Sequence, residues 1–218
     1  MKIGIIGAGN IGGALTRRLT ALGHDVSVAN SRGPETLADL ATQTGAKAVL
    51  FTEAARGADV VVVTIPLGKV ADLPEGLLDE AAEGVAVIDT GNYYPKRDGR
   101  IAAIEDGTTE SRWVADRLGH PVVKVFNGIY ALHLLEKGVP AGTEGRIALP
   151  VAGDDETAKA VVLALVEELG FDAVDAGGLD ESWRQQPGSP SYGADATLDT
   201  LPKLLADASP ERTPEFTA

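Results

Sequence analysis

Three short stretches hold residues whose types and spacing can do chemistry, and the first is Gly7-Ala8-Gly9-Asn10-Ile11-Gly12. It directly follows an apolar run, Lys2 to Ile6, and opens a segment with apolar residues at Ile11, Ala14, Leu15, Leu19 and Leu22. A GxGxxG set between a strand and an amphipathic helix makes a diphosphate cradle. Gly7 permits the tight turn, Gly9 lets an anion approach the backbone, and Gly12 lets the helix pack closely on the strand. The helix start adds unbonded N–H groups and a partial positive charge. Gly7, Gly9, Asn10, Ile11 and Gly12 are therefore candidate cofactor contacts.

The second stretch, Val28-Ala29-Asn30-Ser31-Arg32, bears on which dinucleotide is bound. A site for NAD places Asp or Glu at the end of the second strand, about 20 residues past the glycines, to accept hydrogen bonds from the ribose. No acid stands there, because Asp25 begins the strand instead of ending it. Asn30 and Ser31 do not repel a 2′-phosphate, and the Arg32 guanidinium can clamp one through paired, charge-assisted hydrogen bonds. NADP is expected over NAD, with Asn30, Ser31 and Arg32 at the phosphorylated ribose. Arg17 and Arg18, on the first helix, are read as surface residues with no contact.

The third set lies where strands end: Thr64-Ile65-Pro66, Asp89-Thr90-Gly91-Asn92 and Lys124-Val125-Phe126-Asn127-Gly128. Ligands of open parallel sheets sit beyond the carboxyl ends of the strands. Thr64, Ile65, Pro66, Asn92 and Asn127 are thus placed to orient a nicotinamide, with close backbone approach at Gly91 and Gly128. Turn formation alone accounts for Gly91 and Asn92 nearly as well.

The elements that must position these groups follow from periodicity. β-Branched runs at Lys2 to Ile6, Asp25 to Ala29, Ala46 to Leu50, Asp59 to Ile65, Gly84 to Asp89 and Pro121 to Phe126 are each followed by a helix-like segment. This alternation predicts an α/β fold with a doubly wound, mainly parallel sheet. Val60-Val61-Val62-Val63 is apolar on both faces and belongs at the centre. Pro34 begins a helix over Thr36 to Thr42. Arg146 to Ala152 and Phe171 to Asp175 read as two more strands of the same sheet, with a helix from Asp155 to Leu169 between them. Leu198, Leu201, Leu204 and Leu205 mark a last helix that Pro202 kinks or shortens. The expected division is a dinucleotide-binding core over 1–128, an extension over 129–208 that completes the sheet and covers the cleft, and a mobile tail over 209–218.

Composition narrows the function classes. The 218 residues carry a formal net charge of −13, which disfavours nucleic acid and anionic membranes as partners. With no Cys there is no disulfide, thiolate metal site or Cys nucleophile, so redox chemistry requires a bound cofactor. No stretch approaches the ~20 apolar residues of a membrane span, and the apolar N-terminal run is too short for a signal segment; the expected setting is cytoplasmic. No clustered His or carboxylate pattern suggests a metal site.

Taken together, the glycine motif, Asn30-Ser31-Arg32, Thr64-Ile65-Pro66, Asp89-Thr90-Gly91-Asn92 and Lys124-Val125-Phe126-Asn127 resemble the NADP oxidoreductase family whose members exchange hydride between NADP and the deazaflavin coenzyme F420. The likeness runs over roughly the first 175 residues. It implies that Ser31 and Arg32 hold the 2′-phosphate, that Ile65 and Pro66 line the nicotinamide pocket, and that Asn127 lies near the carboxamide. In its glycine turn the family is similar to pyrroline carboxylate reductases and to the cytoplasmic domains of metalloreductases.

The last quarter and the acid–base residues say less. Trp183 and Tyr192 can stack on a planar acceptor and Arg184 can meet its anionic groups, but anchoring of the segment or a dimer contact fits them equally. His24 and His120 lie away from the strand ends. His133, just past Asn127 and Gly128, is the one His near the expected nicotinamide, although its neighbours Leu132, Leu134 and Leu135 suit a packed position. The expected function is an NADP-dependent oxidoreductase passing hydride to a flavin-like, small-molecule acceptor, deazaflavin F420 or a flavin, in a twofold homodimer. Two alternatives stay open: a dehydrogenase or imine reductase of a small metabolite, with His133 or Tyr94 as donor, and a non-catalytic NADP sensor.

Overall fold

The computed structural model describes residues 1–218, and its centre is one eight-stranded sheet. The first crossover runs from β1 (Lys2–Ile6) through α1 (Asn10–Ala21) to β2 (Asp25–Ala29). A 3₁₀ turn (Pro34–Leu37) and α2 (Ala38–Thr44) lead to β3 (Lys47–Ala48), and β4 (Val60–Val63) and β5 (Ala86–Asp89) follow. Two short helices, α3 (Pro95–Asp98) and α4 (Ala102–Glu105), precede α5 (Glu110–Leu118), which delivers the chain to β6 (Val123–Lys124). Then come α6 (Ala131–Glu136), β7 (Ala148–Gly153), α7 (Glu156–Glu168), β8 (Asp172–Asp175), a 3₁₀ segment (Leu179–Gln185) and α8 (Leu201–Ala206). The strand order is β3-β2-β1-β4-β5-β6-β7-β8. Every pairing is parallel except β6 with β7.

Helices cover both faces, and the strand residues divide between them with period two. Ile3, Ile5, Val60 and Val62 join α1 and α7 in one core, while Ile6, Val61, Val63 and Val87 join Trp113 and Val114 of α5 in the other. A strand buried on both sides needs apolar residues throughout, which is why β4 is four valines. Each such side chain removed from water stabilises the fold by roughly 1.5–3 kcal/mol before entropy is counted.

β1 and β2 match their sequence expectation residue for residue, and the sheet continues into β7 and β8 as expected. The margins are shorter. Only Lys47–Ala48 of Ala46 to Leu50 pairs, because β3 is an edge strand with one neighbour. Of Pro121 to Phe126 only Val123–Lys124 pairs, as Phe126 takes a left-handed φ of 62° and turns the chain out of the sheet. Pro34 opens the 3₁₀ turn ahead of the helix, and Pro202 lies in the first turn of α8, where a missing N–H is tolerated; the helix is short, as expected, with six residues that leave Leu198 outside it.

The segment 209–218, expected as a mobile tail, makes contacts with the body of the fold. Arg212 Nη2 donates to Glu110 Oε1 at 2.8 Å, with its guanidinium 5.0 Å from the Tyr93 ring, and Phe216 packs on Tyr94. Glu110 is also bonded by Lys124 Nζ at 3.0 Å, and all three charged side chains are buried. A carboxylate held between two buried cations keeps the triad together, since either cation left alone would carry an uncompensated charge.

Candidate functional site

Gly7, Gly9, Asn30, Ser31, Arg32, Thr64, Ile65 and Pro66 converge on one cleft of about 860 Å³ at the carboxyl ends of β1, β2 and β4. The turn that opens it depends on two glycines. Gly7 adopts φ of +113°, and a Cβ there would lie 2.2 Å from the Thr64 carbonyl oxygen. A Cβ on Gly12 would lie 1.9 Å from the Gly7 carbonyl oxygen, so α1 could not approach the strand. At Gly9, by contrast, a Cβ would meet nothing within 4 Å. That open space, beside the uncapped start of α1, suits a diphosphate group. Asn10 and Gly9 also border a second groove, of about 690 Å³, that continues past Arg32 between α1, α2 and α6. Ile11 packs partly buried against the core and Gly12 is buried, so both serve the turn as backbone.

At the end of β2 the roles separate. Asn30 Oδ1 accepts from the Arg32 N–H at 2.9 Å and its Nδ2 donates to Thr36 Oγ1 at 2.9 Å, so Asn30 shapes the loop. The loop leaves Ser31 exposed and the Arg32 guanidinium without an ion pair, both beside the glycine turn. The cleft also has members that the sequence did not single out: Leu50, Phe51 and Leu73 as apolar wall, and Lys69 with its partner Asp72 at 2.9 Å. The only sequence signal for Lys69 is its place three residues past Pro66.

Asn92 and Asn127 sit apart from this cleft, in an amide lattice. Asn127 Nδ2 donates to Asn92 Oδ1 at 3.0 Å and to the Gln185 carbonyl at 2.7 Å, while its Oδ1 accepts from Gln185 Nε2 at 3.0 Å. Asn92 Nδ2 donates to the Asn127 carbonyl at 2.9 Å. Asn127 is buried, and its amide is occupied in fastening the 3₁₀ segment 179–185 across the ends of β5 and β6. Nearby, the Tyr94 and Tyr192 hydroxyls are hydrogen-bonded to each other. Burial, reinforced by the Tyr94 hydroxyl, pushes the Tyr192 phenol well above its ordinary range.

The remaining candidates have partners within the fold. His133 Nδ1 bonds Asp195 at 2.8 Å and its ring meets Tyr130 edge-on, outside the cleft. Burial alone would raise the Asp195 carboxyl, but Lys137 and His133 hold it below the usual range. Arg184 lies 4.2 Å over the Trp183 ring, bonds Glu181 at 2.7 Å and donates to the Leu205 carbonyl, so this pair anchors α8. No group of His, Asp and Glu is arranged to hold a metal ion, and no helix is long and apolar enough to cross a membrane.

A doubly wound sheet whose first strand passes through this glycine turn into α1 is the architecture of dinucleotide-binding oxidoreductase folds. Comparison with known proteins agrees. The family model for NADP oxidoreductases, coenzyme F420-dependent, matches residues 2–93. A hypothetical protein of Sinorhizobium meliloti, SMa0349, is 32% identical over 88% of this chain and 93% of its own, with a TM-score of 0.74. A proposed F420-dependent NADP-reductase from Arthrobacter sp. FB24 shares the fold at a TM-score of 0.65 and 24% identity, covering 84% of this chain and 87% of that one. The YjhV protein of Escherichia coli is 51% identical over 63 residues, 29% of this chain; the match spans about half the length of that curated relative, 46%. Residues 2–93 therefore carry the domain of NADP oxidoreductases, coenzyme F420-dependent, within an NAD(P)-binding oxidoreductase fold.

Proposed function

We propose that the protein binds NADPH in the cleft between Gly7 and Arg32 and passes its hydride to a flavin-like acceptor, the deazaflavin F420 or a flavin. One observation carries the cofactor reading: an exposed Ser31 and an Arg32 without an ion pair line the same cleft as the glycine turn, with no carboxylate on β2's end to repel a 2′-phosphate. The residues present fit the group. Gly9 leaves room at the helix start, the apolar wall of Leu50, Phe51 and Leu73 suits a base, and Ile65 and Pro66 shape the end toward β5. When bound, the cofactor supplies a hydride from nicotinamide carbon-4. The protein's part is to orient that ring and keep an acceptor in line with it.

The acceptor is read from the family, whose description names coenzyme F420. A twofold homodimer and a cytoplasmic location complete the proposal, and sedimentation velocity and cell fractionation test them. The deciding experiment is an acceptor screen. Purified protein is expected to bind NADPH and to bleach its absorbance with F420, FMN, FAD or riboflavin. NADPH binding without oxidation by any of the four would sink the flavin-like assignment, and failure to bind NADPH would sink the cofactor assignment as well.

A further inference from the structure

The order of ends along the sheet fixes where the reacting part of a dinucleotide would fall. Arg32 marks the end of β2, the glycine turn the end of β1, and Thr64 to Pro66 the end of β4. With the phosphorylated ribose at β2 and the diphosphate at β1, the nicotinamide half extends toward β4 and β5. Val63 of β4 pairs with Asp89 of β5, so Pro66 and Asn92 stand the same distance past neighbouring strands, themselves about 4.8 Å apart. Asn92 therefore stands at the strand end next to the cleft, and it adjoins the Tyr94–Tyr192 pair.

Hydrogen-bond accounting then exposes a free proton. Asn92 is oriented by Asn127: its Oδ1 takes the Asn127 Nδ2 donor, so its own Nδ2 faces the Asn127 carbonyl and, at 3.5 Å, the Tyr192 oxygen. The two tyrosine hydroxyls have two protons and share one bond, and neither donates to any other protein acceptor. With Asn92 donating to Tyr192, the Tyr192 proton lies toward Tyr94, and the Tyr94 O–H is left without a protein acceptor. Both rings are half-buried, and Tyr192 to Gly193 is pinned over the end of β6 by Gly193 N–H to the Gly128 carbonyl at 2.8 Å.

We infer that Tyr94, at the end of this Asn92–Tyr192–Tyr94 donor chain, is a catalytic residue that delivers the proton accompanying hydride transfer, to an acceptor whose displaced electron pair comes to rest on nitrogen or oxygen. This rests on the hydride-transfer reading above. In the step, the hydride with its electron pair bonds to the acceptor's electrophilic atom and the acceptor's π pair moves to the heteroatom. That heteroatom takes the Tyr94 proton, and the phenolate left is reprotonated from water through the pair. The charged and titratable groups facing the pair are Arg97, whose guanidinium lies 4.8 Å over the Tyr94 ring, Asp98, which accepts from the Tyr94 N–H, and Glu110 and Tyr130 near Tyr192.

Tyr94→Phe and Tyr192→Phe keep the rings that pack the site, and each is measured in the full chain with the acceptor that the screen identifies. The expected result for Tyr94→Phe is a fall in kcat of roughly 10²-fold, the lower end for a general acid, with the NADPH Kd unchanged. Its kcat should also fall as pH rises from 6 to 9, where wild type stays level. A readout without cofactor accompanies it. Ultraviolet titration of the unliganded protein should show tyrosines ionising above the ordinary range, Tyr93 and Tyr192, of which one is lost in Tyr192→Phe and the same one moves down in Tyr94→Phe. Turnover and pH profile equal to wild type in Tyr94→Phe would overturn the inference alone, as would a Tyr192 titration indifferent to Tyr94. If no acceptor oxidises NADPH, the functional reading falls and takes this inference with it.

Discussion

The two halves of the strand-end crevice treat polar groups in opposite ways. Around β1 and β2 the fold leaves them open: a bare Gly9 and helix start, an exposed Ser31 and an unpaired guanidinium on Arg32. Around β5 and β6 it satisfies most of them internally, with Asn92, Asn127 and Gln185 bonding one another and Lys124, Glu110 and Arg212 forming a buried triad, Gln185 Oε1 and Arg212 Nη1 alone in this frame lacking a partner. Free polar groups in a concave cleft are available to a ligand, whereas satisfied ones make a rigid frame. Residues with the same chemistry, such as Arg32 and Arg212, thus cannot be assigned a role by type. Their partners decide it.

Substitutions can break or sharpen this contrast, the largest effect first. Glu110→Ala leaves Lys124 and Arg212 buried without a counter-charge and should cost about 3–5 kcal/mol in urea unfolding. Loss below 1 kcal/mol would show that the triad is solvated and the frame loose. Asn127→Ala deprives Gln185 and Asn92 of partners and should destabilise by about 2–3 kcal/mol while changing the NADPH Kd less than about threefold. A variant with unaltered stability and lost NADPH binding would instead put Asn127 at the carboxamide, as the family likeness implies.

Arg32→Ala tests the open half. NADPH binding, followed by fluorescence titration, should weaken by about 1.5–3 kcal/mol, roughly 10- to 150-fold, with NADH nearly unaffected. Equal losses for both nucleotides would remove Arg32 from the 2′-phosphate. The smallest effect concerns Asp195. Its folded carboxyl ionises at lower pH than the unfolded one, so its contribution is present above about pH 4 and is lost as pH falls through the folded value. Being partly exposed, it should account for under about 1 kcal/mol of acid destabilisation, and Asp195→Asn should flatten the stability curve by that amount.

Much of the open half was legible in the sequence because its signals are local. The glycine turn, the missing acid at Asn30 and the strands on either side all lie within one βαβ unit. The frame was not legible, because its bonds join distant positions: Asn127 meets Gln185 across 58 residues and Glu110 meets Arg212 across 102. For the same reason 209–218, rich in Pro and charge, reads as a loose tail until Arg212 finds Glu110. α5 also escaped notice. Glu110 to Leu118 holds too few apolar residues for its period to stand out, and only the burial of Trp113 and Val114 reveals the inward face.

The two margins of the sheet also have a consequence. β3 offers only two residues at one rim, and β8 at the other begins and ends on aspartates, Asp172 and Asp175, paired with Arg146 and Lys159. Neither rim gives an incoming chain a long, uncharged ladder to extend, so the fold resists strand-by-strand polymerisation, and any association between copies is left to helix and loop surfaces.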